Sequence, residues 1–351
     1  MMIIDFHTHY LAREHLQMHT TNPDGRVVGA SIHGEGKDAI MEANGIPIGS
    51  TCNPEDFYHL AARLERMERS GVDMHVLSPP PFMCFTEIPA TEAARLTREQ
   101  NEAIAAVVQQ YPTSFRGLGV APVQDADSAV VEIAYLMDTL KLDGVELLTH
   151  IGGKNLDSPD LDPVWQALDA REALVFLHPN TVLGEERLTR YYLLNLLGNP
   201  VETAQALACL MFGGVFERYP HIHFLAAHGG GVAPFVIGRW QHAAQVRPEL
   251  AHLSTSPLEL LRHTYVDSIV HGVPELQYLI DILGAERIVL GSDFPFDMGV
   301  QEPVALFGAS LAEGVRHKIL ADHQDLLRIG GVKEGRSLQV TVRNEAEKER
   351  S

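Results

Sequence analysis

The sequence contains little cysteine, and its cysteines form no metal or disulfide motif. Its 351 residues include three cysteines, Cys52, Cys84 and Cys209, and no two of them form a Cys-x-x-Cys pair. This excludes a disulfide-stapled scaffold and a zinc site built from thiolates. So few cysteines are typical of proteins of the reducing cytoplasm, which is the compartment we expect.

Clusters of basic residues and long apolar runs are also missing. The chain has 27 Lys and Arg residues against 46 Asp and Glu residues, which gives a formal net charge of −19. No nucleic-acid partner is expected, because neutralising phosphates requires clustered positive charge. No uninterrupted apolar stretch reaches the roughly 18 residues that a membrane helix needs, so no membrane association is expected. The first residues lack the basic segment and cleavage site of a secretory signal.

The sequence does contain a regular alternation of short β-branched apolar runs and amphipathic segments. A hydrophobic fraction of 45% is typical of a globular protein. Eight runs are predicted strands, and segments with a 3.6-residue apolar period separate them. The predicted strands are residues 2–6, 72–77, 115–120, 143–148, 174–177, 222–227, 264–269 and 287–291. Eight strands, each followed by a helix, predict a closed α/β barrel of the (β/α)8, or TIM-barrel, type.

The chain is longer than a plain barrel requires. Such a barrel takes about 250 residues, which leaves roughly 100 residues for insertions and the tail. We place the excess in an insert at about 11–52, which is rich in Gly and Pro and has no sustained period, and in a helical insert at about 180–220. A Pro- and Gly-rich segment at 294–312 follows the last strand. The prediction is a single domain over 1–335 and a polar C-terminal tail at 336–351.

Some of the 18 histidines fall where a barrel carries its function. Active sites of such barrels lie at the carboxyl ends of the strands. The first predicted strand runs into His7 and His9, whose spacing places both on one face. The fifth strand ends at His178 and the eighth at Asp293. Three imidazoles and one carboxylate suit one divalent metal ion, and Zn²⁺ is favoured over Mn²⁺ or Fe²⁺.

A fourth histidine, His228, ends the sixth predicted strand and precedes three glycines. We expect it to stay off the metal and to act as the catalytic acid/base, because imidazole transfers protons readily at neutral pH. Asp293 is expected to relay protons as well as to bind the metal. A second His-x-His pair, His221 and His223, lies at the amino end of the same strand, where a structural role is expected.

One metal ion is favoured over two. A second ion would need a bridging anion at the end of the fourth predicted strand, and no lysine that could be carboxylated stands there. Glu146 lies on that strand and keeps a bridging carboxylate open as an alternative.

These motifs resemble the amidohydrolase superfamily and, within it, the aminocarboxymuconate-semialdehyde decarboxylase-like branch. The resemblance runs from Met2 to about Leu327. The motifs that carry it are Asp5-Phe6-His7-Thr8-His9, His178-Pro179, His228-Gly-Gly-Gly and Gly291-Ser-Asp293-Phe-Pro. The resemblance implies a (β/α)8 barrel that holds one divalent metal ion, usually Zn²⁺, and removes CO₂ from unsaturated or aromatic carboxylic acids.

The resemblance also implies substrate contacts outside the metal ligands. Arg239 matches a position that binds a substrate carboxylate across a homodimer interface. Tyr191 stands where the branch tends to carry an aromatic residue near the substrate. The sequence departs from the branch at 45–48, which lacks the second carboxylate-binding arginine of the first insert. This departure argues against the aminocarboxymuconate substrate itself, and the expected assembly is a homodimer or a higher homo-oligomer.

The predicted function is a metal-dependent, non-oxidative decarboxylase in aromatic catabolism. Its substrate is expected to be a small aromatic or ring-cleavage-derived unsaturated carboxylate. The same site could instead catalyse hydrolysis or hydration of a carbon–carbon bond or a lactone, with Asp293 or His228 activating water. A third hypothesis is a non-catalytic metal-binding or scaffold protein. We expect loop side chains in 11–55 and 180–200 to determine the substrate, and the sequence does not indicate which of them contact it.

Overall fold

Fourteen strands are present in the residues that the computed structural model describes, which are 2–34, 39–48, 52–307, 311–321 and 323–327. The strands are β1 (Ile4–His9), β2 (His19–Thr21), β3 (Val27–His33), β4 (Ile40–Ala43), β5 (Ile46–Pro47), β6 (Met74–Ser78), β7 (Phe115–Gly119), β8 (Gly144–Leu148), β9 (His150–Ile151), β10 (Lys154–Asn155), β11 (Leu174–His178), β12 (His223–Ala226), β13 (Tyr265–Asp267) and β14 (Ile288–Val289). Eight of them form one parallel sheet, in the order β1-β6-β7-β8-β11-β12-β13-β14.

Backbone hydrogen bonds between β1 and the residues that follow β14 close this sheet into a barrel. The Asp293 N–H donates to the His7 carbonyl oxygen at 2.8 Å. The His9 N–H donates to the Phe294 carbonyl oxygen at 2.7 Å, and Thr8 and Phe294 pair in parallel. The segment after β14 therefore runs alongside the carboxyl end of β1.

Each barrel strand is followed by at least one helix. The helices in the described ranges are α1 (Glu55–Tyr58), α2 (Leu60–Ser70), α3 (Ala90–Gln110), α4 (Ala126–Ala134), α5 (Asp162–Asp169), α6 (Asn199–Phe212), α7 (Val215–Arg218), α8 (Ala233–Val246), α9 (Pro257–Arg262), α10 (Val273–Leu283) and α11 (Glu313–Ala321). Helices α1 and α2 follow β1, and α3, α4 and α5 follow β6, β7 and β8. Helix α6 follows β11, α8 follows β12, α10 follows β13, and α11 follows β14. The (β/α)8 barrel predicted from the sequence is therefore confirmed.

Helix α2 shows how local signals set the helix ends. The His59 side chain accepts a hydrogen bond from the Ala62 N–H and caps the first turn. Gly71 ends the helix with a φ of 72°, a left-handed conformation that glycine adopts without steric cost. Arg63 and Met67, one turn apart, are the two buried residues of α2 and lie on the face towards the barrel.

Two apolar layers hold the barrel together. Phe6, Phe176 and Leu225 belong to the cluster inside the barrel. Trp165 and Leu168 of α5 belong to the larger cluster between the strands and the surrounding helices. All five side chains are buried, so the hydrophobic effect stabilises both faces of the sheet, as a parallel barrel requires.

The eight predicted strands all overlap the observed barrel strands, but the first insert differs from its prediction. Strands β2 to β5 form an antiparallel sheet within the range 11–52, where a loop without periodic structure was predicted. The burial of β3 and β4 does not alternate along the strand, so pairing with neighbouring strands and packing define them. The range 180–220 contains α6, which is the helix that follows β11 in the barrel, and the short helix α7. The predicted tail at 336–351 lies outside the described residues.

No helix among the described residues combines the length and the apolar character needed to cross a membrane.

Candidate metal centre

Four of the predicted ligand residues converge at the carboxyl end of the barrel. His7 and His9 end β1, His178 ends β11, and Asp293 follows β14. Each offers one ligand atom, and these four atoms all lie within 4.8 Å of one another. Asp293 Oδ1 lies 3.3 Å from both His7 Nε2 and His9 Nε2, which are themselves 3.2 Å apart. All four residues are buried, so the barrel brings the predicted ligand set together.

The donor atoms of this cluster fit a divalent metal ion. His178 Nε2 and Asp293 Oδ1 are buried and make no hydrogen bond. Buried polar atoms are almost always hydrogen-bonded, so two such atoms without a hydrogen bond inside the four-atom cluster are suited to act as ligands of a cation. Three imidazole nitrogens and one carboxylate oxygen are ligands that Zn²⁺ and other first-row ions bind.

The other ring nitrogen of each histidine ligand has a partner that orients it. His7 Nδ1 lies 2.7 Å from Asp267 Oδ2. His9 Nδ1 lies 3.1 Å from the Pro79 carbonyl oxygen, and His178 Nδ1 lies 2.7 Å from the Pro179 carbonyl oxygen. Nitrogens that donate to these oxygens leave each Nε2 lone pair free for a metal ion. The hydrogen bonds at the three Nδ1 atoms therefore fix the orientation of the three imidazole rings.

Asp267 is a site residue to which the sequence analysis assigned no role. It ends β13, is fully buried, and accepts hydrogen bonds from the N–H groups of His228, Gly229 and Ile269 at 2.8–3.0 Å. Burial favours the neutral acid, but the hydrogen bond and charge of His7 hold the pKa of Asp267 below its ordinary value. Asp267 therefore orients a ligand and the His228 backbone together. The available signal was an acidic residue within the predicted strand 264–269, two residues before its carboxyl end.

The charges of the cluster are set by burial and by one strong ion pair. Burial alone would lower the pKa of His7, but the Asp293 charge and the hydrogen bond with Asp267 raise it to about 10. Burial lowers the pKa of His9, and burial and the charge of His7 hold the pKa of His178 well below the ordinary value. His9 and His178 are therefore neutral ligands, whereas His7 must release a proton when a metal binds.

Glu146 lies close to the cluster but outside it. It is buried in the middle of β8, and its Oε2 lies 3.8 Å from His9 Nδ1 without a hydrogen bond. Burial raises the pKa of Glu146 to about 8, so it is predominantly a neutral acid at pH 7. The four-ligand cluster in the described part of the chain does not include it.

His228 lies beside the cluster, where the sequence analysis placed the acid/base. Its Nε2 is 3.6 Å from Asp293 Oδ2, and its ring centroid is 5.2 Å from that of His178. Its Nδ1 is buried without a hydrogen bond. His228 and Asp293 both line a cavity of about 560 Å³. His228 therefore stands between the ligand cluster and the cavity.

The walls of this cavity are mostly apolar. Its apolar lining includes Val232, Pro234, Ile269, Val270 and Leu279. Its polar lining, other than His228 and Asp293, is Asn195, Asn199, His271, Glu275 and Tyr278. None of the described residues of 11–52 lines it, so the loops after β11, β12, β13 and β14 form this cavity. The sequence analysis expected substrate contacts from 11–55 and 180–200; the second range does line the cavity, through Asn195, Leu196, Asn199 and Pro200, and the described residues of the first do not.

Arg239 and Tyr191, which were predicted to contact the substrate, do not line this cavity. Arg239 is exposed on α8. Tyr191 is 72% exposed, and its hydroxyl accepts a hydrogen bond from Arg190. Burial and the charges of Asp297 and Asp293 raise the pKa of the neighbouring Tyr192. The other predicted pair, His221 and His223, lies at the amino end of β12, as expected.

We predict that His178→Ala lowers the metal content from about one ion per chain to well below that value. The substitution removes a ligand atom and leaves the cluster with three. His221→Ala, which changes an exposed histidine at the opposite end of the barrel, is expected to keep the wild-type content. Inductively coupled plasma mass spectrometry of dialysed protein measures both. Equal metal content in the two variants would contradict the ligand assignment.

We also predict a pH-dependent stability difference at Glu146 in the metal-free protein. The raised pKa means that its contribution to stability is fully present below pH 4.5 and is lost as the pH rises towards about 8. Glu146→Gln keeps a neutral group of the same shape and removes this dependence. The free energy of unfolding of the wild type, relative to that of the variant, should therefore fall across this range. Urea unfolding at several pH values measures it, and a difference that is constant with pH contradicts it.

The chain is similar in sequence to known decarboxylases. The amidohydrolase family model matches residues 4–322. Over 304 residues the chain is 34% identical to 2-amino-3-carboxymuconate-6-semialdehyde decarboxylase of Dictyostelium discoideum, and the match covers 86% of this chain and 83% of that protein.

Solved structures share the fold. 5-Carboxyvanillate decarboxylase from Sphingomonas paucimobilis superposes with a TM-score of 0.78 at 23% identity, covering 94% of this chain and 99% of that one. A dihydroxybenzoic acid decarboxylase from Polaromonas sp. JS666, solved with bound manganese and 2-nitroresorcinol, superposes with a TM-score of 0.75 at 20% identity, covering 93% and 96%. The family match over residues 4–322 and the 34% identity to the Dictyostelium protein together show the family of this chain. The chain belongs to the amidohydrolase family and, within it, to the aminocarboxymuconate-semialdehyde decarboxylase-like branch.

Proposed function

We propose that this chain is a metal-dependent, non-oxidative decarboxylase, a carboxy-lyase, of an aromatic or ring-cleavage-derived unsaturated carboxylic acid. The observation that carries the proposal is the position of His228, which lies between the buried four-ligand cluster and an apolar cavity. The decarboxylases among its relatives support the same chemistry. An apolar cavity of this size suits a single ring or a short unsaturated chain.

His7, His9, His178 and Asp293 would hold one divalent ion. Zn²⁺ is our first choice because three imidazoles and a carboxylate form a common zinc ligand set, and Mn²⁺ is the alternative because the Polaromonas protein binds manganese. When bound, the ion supplies a Lewis acid that attracts the substrate carboxylate and withdraws electron density from the reacting carbon.

His228 is the proposed proton donor. Its Nε2 would deliver a proton to the carbon that loses CO₂ while the bond to the carboxylate carbon breaks, so that the electron pair of that bond forms the new C–H bond. Asp293 Oδ2 lies 3.6 Å from His228 Nε2. Burial opposes its ionisation, but the charge of His7 and the hydrogen bond with His228 hold the pKa of Asp293 well below its ordinary value. The Asp293 carboxylate would therefore stabilise the protonated imidazole, and water entering the cavity would return the proton to His228 after each turnover. Asp267 Oδ2 accepts a hydrogen bond from the backbone N–H of His228 at 2.8 Å. This bond fixes the His228 backbone and thereby keeps its imidazole at the cavity.

The apolar cavity walls assist this step in two ways. Val232, Pro234, Ile269 and Val270 offer a surface on which a ring can be buried by the hydrophobic effect. A ring bound on these walls would displace water from around His228 and Asp293, which would strengthen the electrostatic interactions between these groups and an anionic substrate.

We predict that His228→Ala lowers kcat by at least about 100-fold, because it removes the proton donor. The metal content should remain near one ion per chain, since His228 is not in the ligand cluster. CO₂ release over a panel of hydroxybenzoates and muconate semialdehydes measures turnover, with His221→Ala as the control.

Retained CO₂ release by His228→Ala would contradict its role. Product formation with water incorporated and no CO₂ released would instead identify a hydrolase or hydratase. A metal-loaded protein that turns over no substrate of the panel would favour the non-catalytic hypothesis.

We extend the proposal to a homodimer formed at the cavity rim. Phe235 and Leu196 both line the cavity, and they are 80% and 53% exposed. Exposed apolar patches of this kind mark contact surfaces. Arg239 follows Phe235 by one helical turn, so both lie on one face of α8. In such a dimer Arg239 would bind the carboxylate of a substrate held by the other subunit.

We predict that Phe235→Glu converts a dimer into a monomer of 38.7 kDa in light-scattering chromatography. The introduced charge would be buried without a partner at the interface. Val131→Glu is the control, because Val131 is exposed on α4 and does not line the cavity. A wild-type protein that already elutes as a monomer would contradict the dimer.

A further inference from the structure

One buried arginine near the metal centre has no role in the proposed reaction. Arg63 lies on α2, is only 1% exposed, and is one of the largest fully buried side chains described. No described carboxylate lies within 4.0 Å of its guanidinium, and its Nε makes no hydrogen bond. Burying an unpaired cation is costly, and an apolar side chain of similar volume would pack there at lower cost. Packing alone therefore does not explain why an arginine occupies this position.

The guanidinium contacts both chain segments that close the barrel. Its Nη2 donates to the His9 carbonyl oxygen at 2.5 Å and to the Asp56 carbonyl oxygen at 3.3 Å. Its central carbon lies 4.7 Å from the centre of the Phe294 ring, a cation–π contact. His9 is a ligand, and Phe294 directly follows the ligand Asp293. Arg63 therefore connects the two segments that carry three of the four ligands.

A second route leads from Arg63 to the same segments. Its Nη1 lies 3.4 Å from His75 Nδ1, and His75 Nε2 lies 3.9 Å from Asp5 Oδ2. Asp5 Oδ1 accepts hydrogen bonds from the N–H groups of His7 and Ser292, each at 3.1 Å. All three side chains of this route are buried. The route therefore ends on the backbone of the ligand His7 and on the backbone of Ser292, which precedes the ligand Asp293.

We propose that Arg63 is a positioning residue for the metal centre. It holds the carboxyl end of β1 and the segment after β14 at the separation at which the four ligand atoms converge. This inference rests on the proposed function only through the metal ion, and it does not depend on the reaction that the ion supports. Groups of this kind behind metal ligands typically contribute about 10- to 100-fold to metal affinity.

Arg66 provides a matched control on the same helix. Its guanidinium lies 4.6 Å from the Phe294 ring centre, and it donates to the Gln301 backbone and side chain. The structure shows no hydrogen bond from Arg66 to the described part of β1. Arg66→Met removes a charge and a ring contact comparable to those of Arg63, but it leaves the His9 carbonyl contact in place.

The experiment compares the Zn²⁺ dissociation constants of four folded proteins by competition with a chromophoric chelator. Arg63→Met should raise the dissociation constant about 10- to 100-fold, whereas Arg66→Met should leave it at the wild-type value. Arg63→Lys should give an intermediate value, because one ammonium group can reach a carbonyl oxygen but cannot reproduce the planar fork. The visible spectrum of the Co²⁺-loaded protein should change in Arg63→Met and not in Arg66→Met.

A folded Arg63→Met protein with the wild-type dissociation constant would overturn the proposal, and so would an equal loss in Arg66→Met. If Arg63→Met does not fold, as judged by its circular dichroism melting curve, Arg63→Lys decides: a wild-type dissociation constant overturns the proposal and a raised one supports it. The affinities are measured without substrate. A protein that binds Zn²⁺ but releases no CO₂ therefore contradicts the proposed function and leaves this inference standing.

Discussion

The hydrogen bonds that close the barrel between β1 and the segment after β14 are the constraint on which the metal centre depends. The Asp293 N–H donates to His7, and the His9 N–H donates to Phe294. These two bonds fix the Asp293 carboxylate beside both β1 histidines, while the parallel sheet carries His178 to the same end of the barrel. The site is thus a product of barrel closure, and residues that reinforce closure also shape the ligand set.

The charge at the ligand cluster differs from the net charge of the chain. The chain carries a formal net charge of −19, yet the centre of the barrel is organised around imidazoles. Glu146, with a pKa raised by burial to about 8, adds little negative charge there near pH 7. A divalent ion on the Asp293 carboxylate would leave a charge of about +1 on the ion and its ligands, and the Asp267 carboxylate behind the His7 ring would offset part of that charge. In the proposed function this local positive charge would attract an anionic substrate, although the net charge of the surface would repel it.

The sequence predicted those features that local residues determine. Each barrel strand is a short apolar run, and His178 and Asp293 stand directly after such runs, so strand and ligand are recognisable together. Features that depend on distant partners were missed. Asp267 orients His7, which lies 260 residues away, and the antiparallel sheet within 11–52 depends on pairing between short segments without a sustained period. The cavity is likewise assembled by loops from four separate strands, so no single stretch of sequence indicates its walls.

The central claim is that one metal ion is bound by His7, His9, His178 and Asp293. The most direct test is anomalous diffraction from crystals of the Zn²⁺-loaded protein, recorded on both sides of the zinc absorption edge. The account predicts one strong anomalous peak per chain, within about 2.0–2.2 Å of three imidazole nitrogens and one carboxylate oxygen from these residues. No peak at this position, or a strong peak only at another site such as His221 and His223, would contradict it.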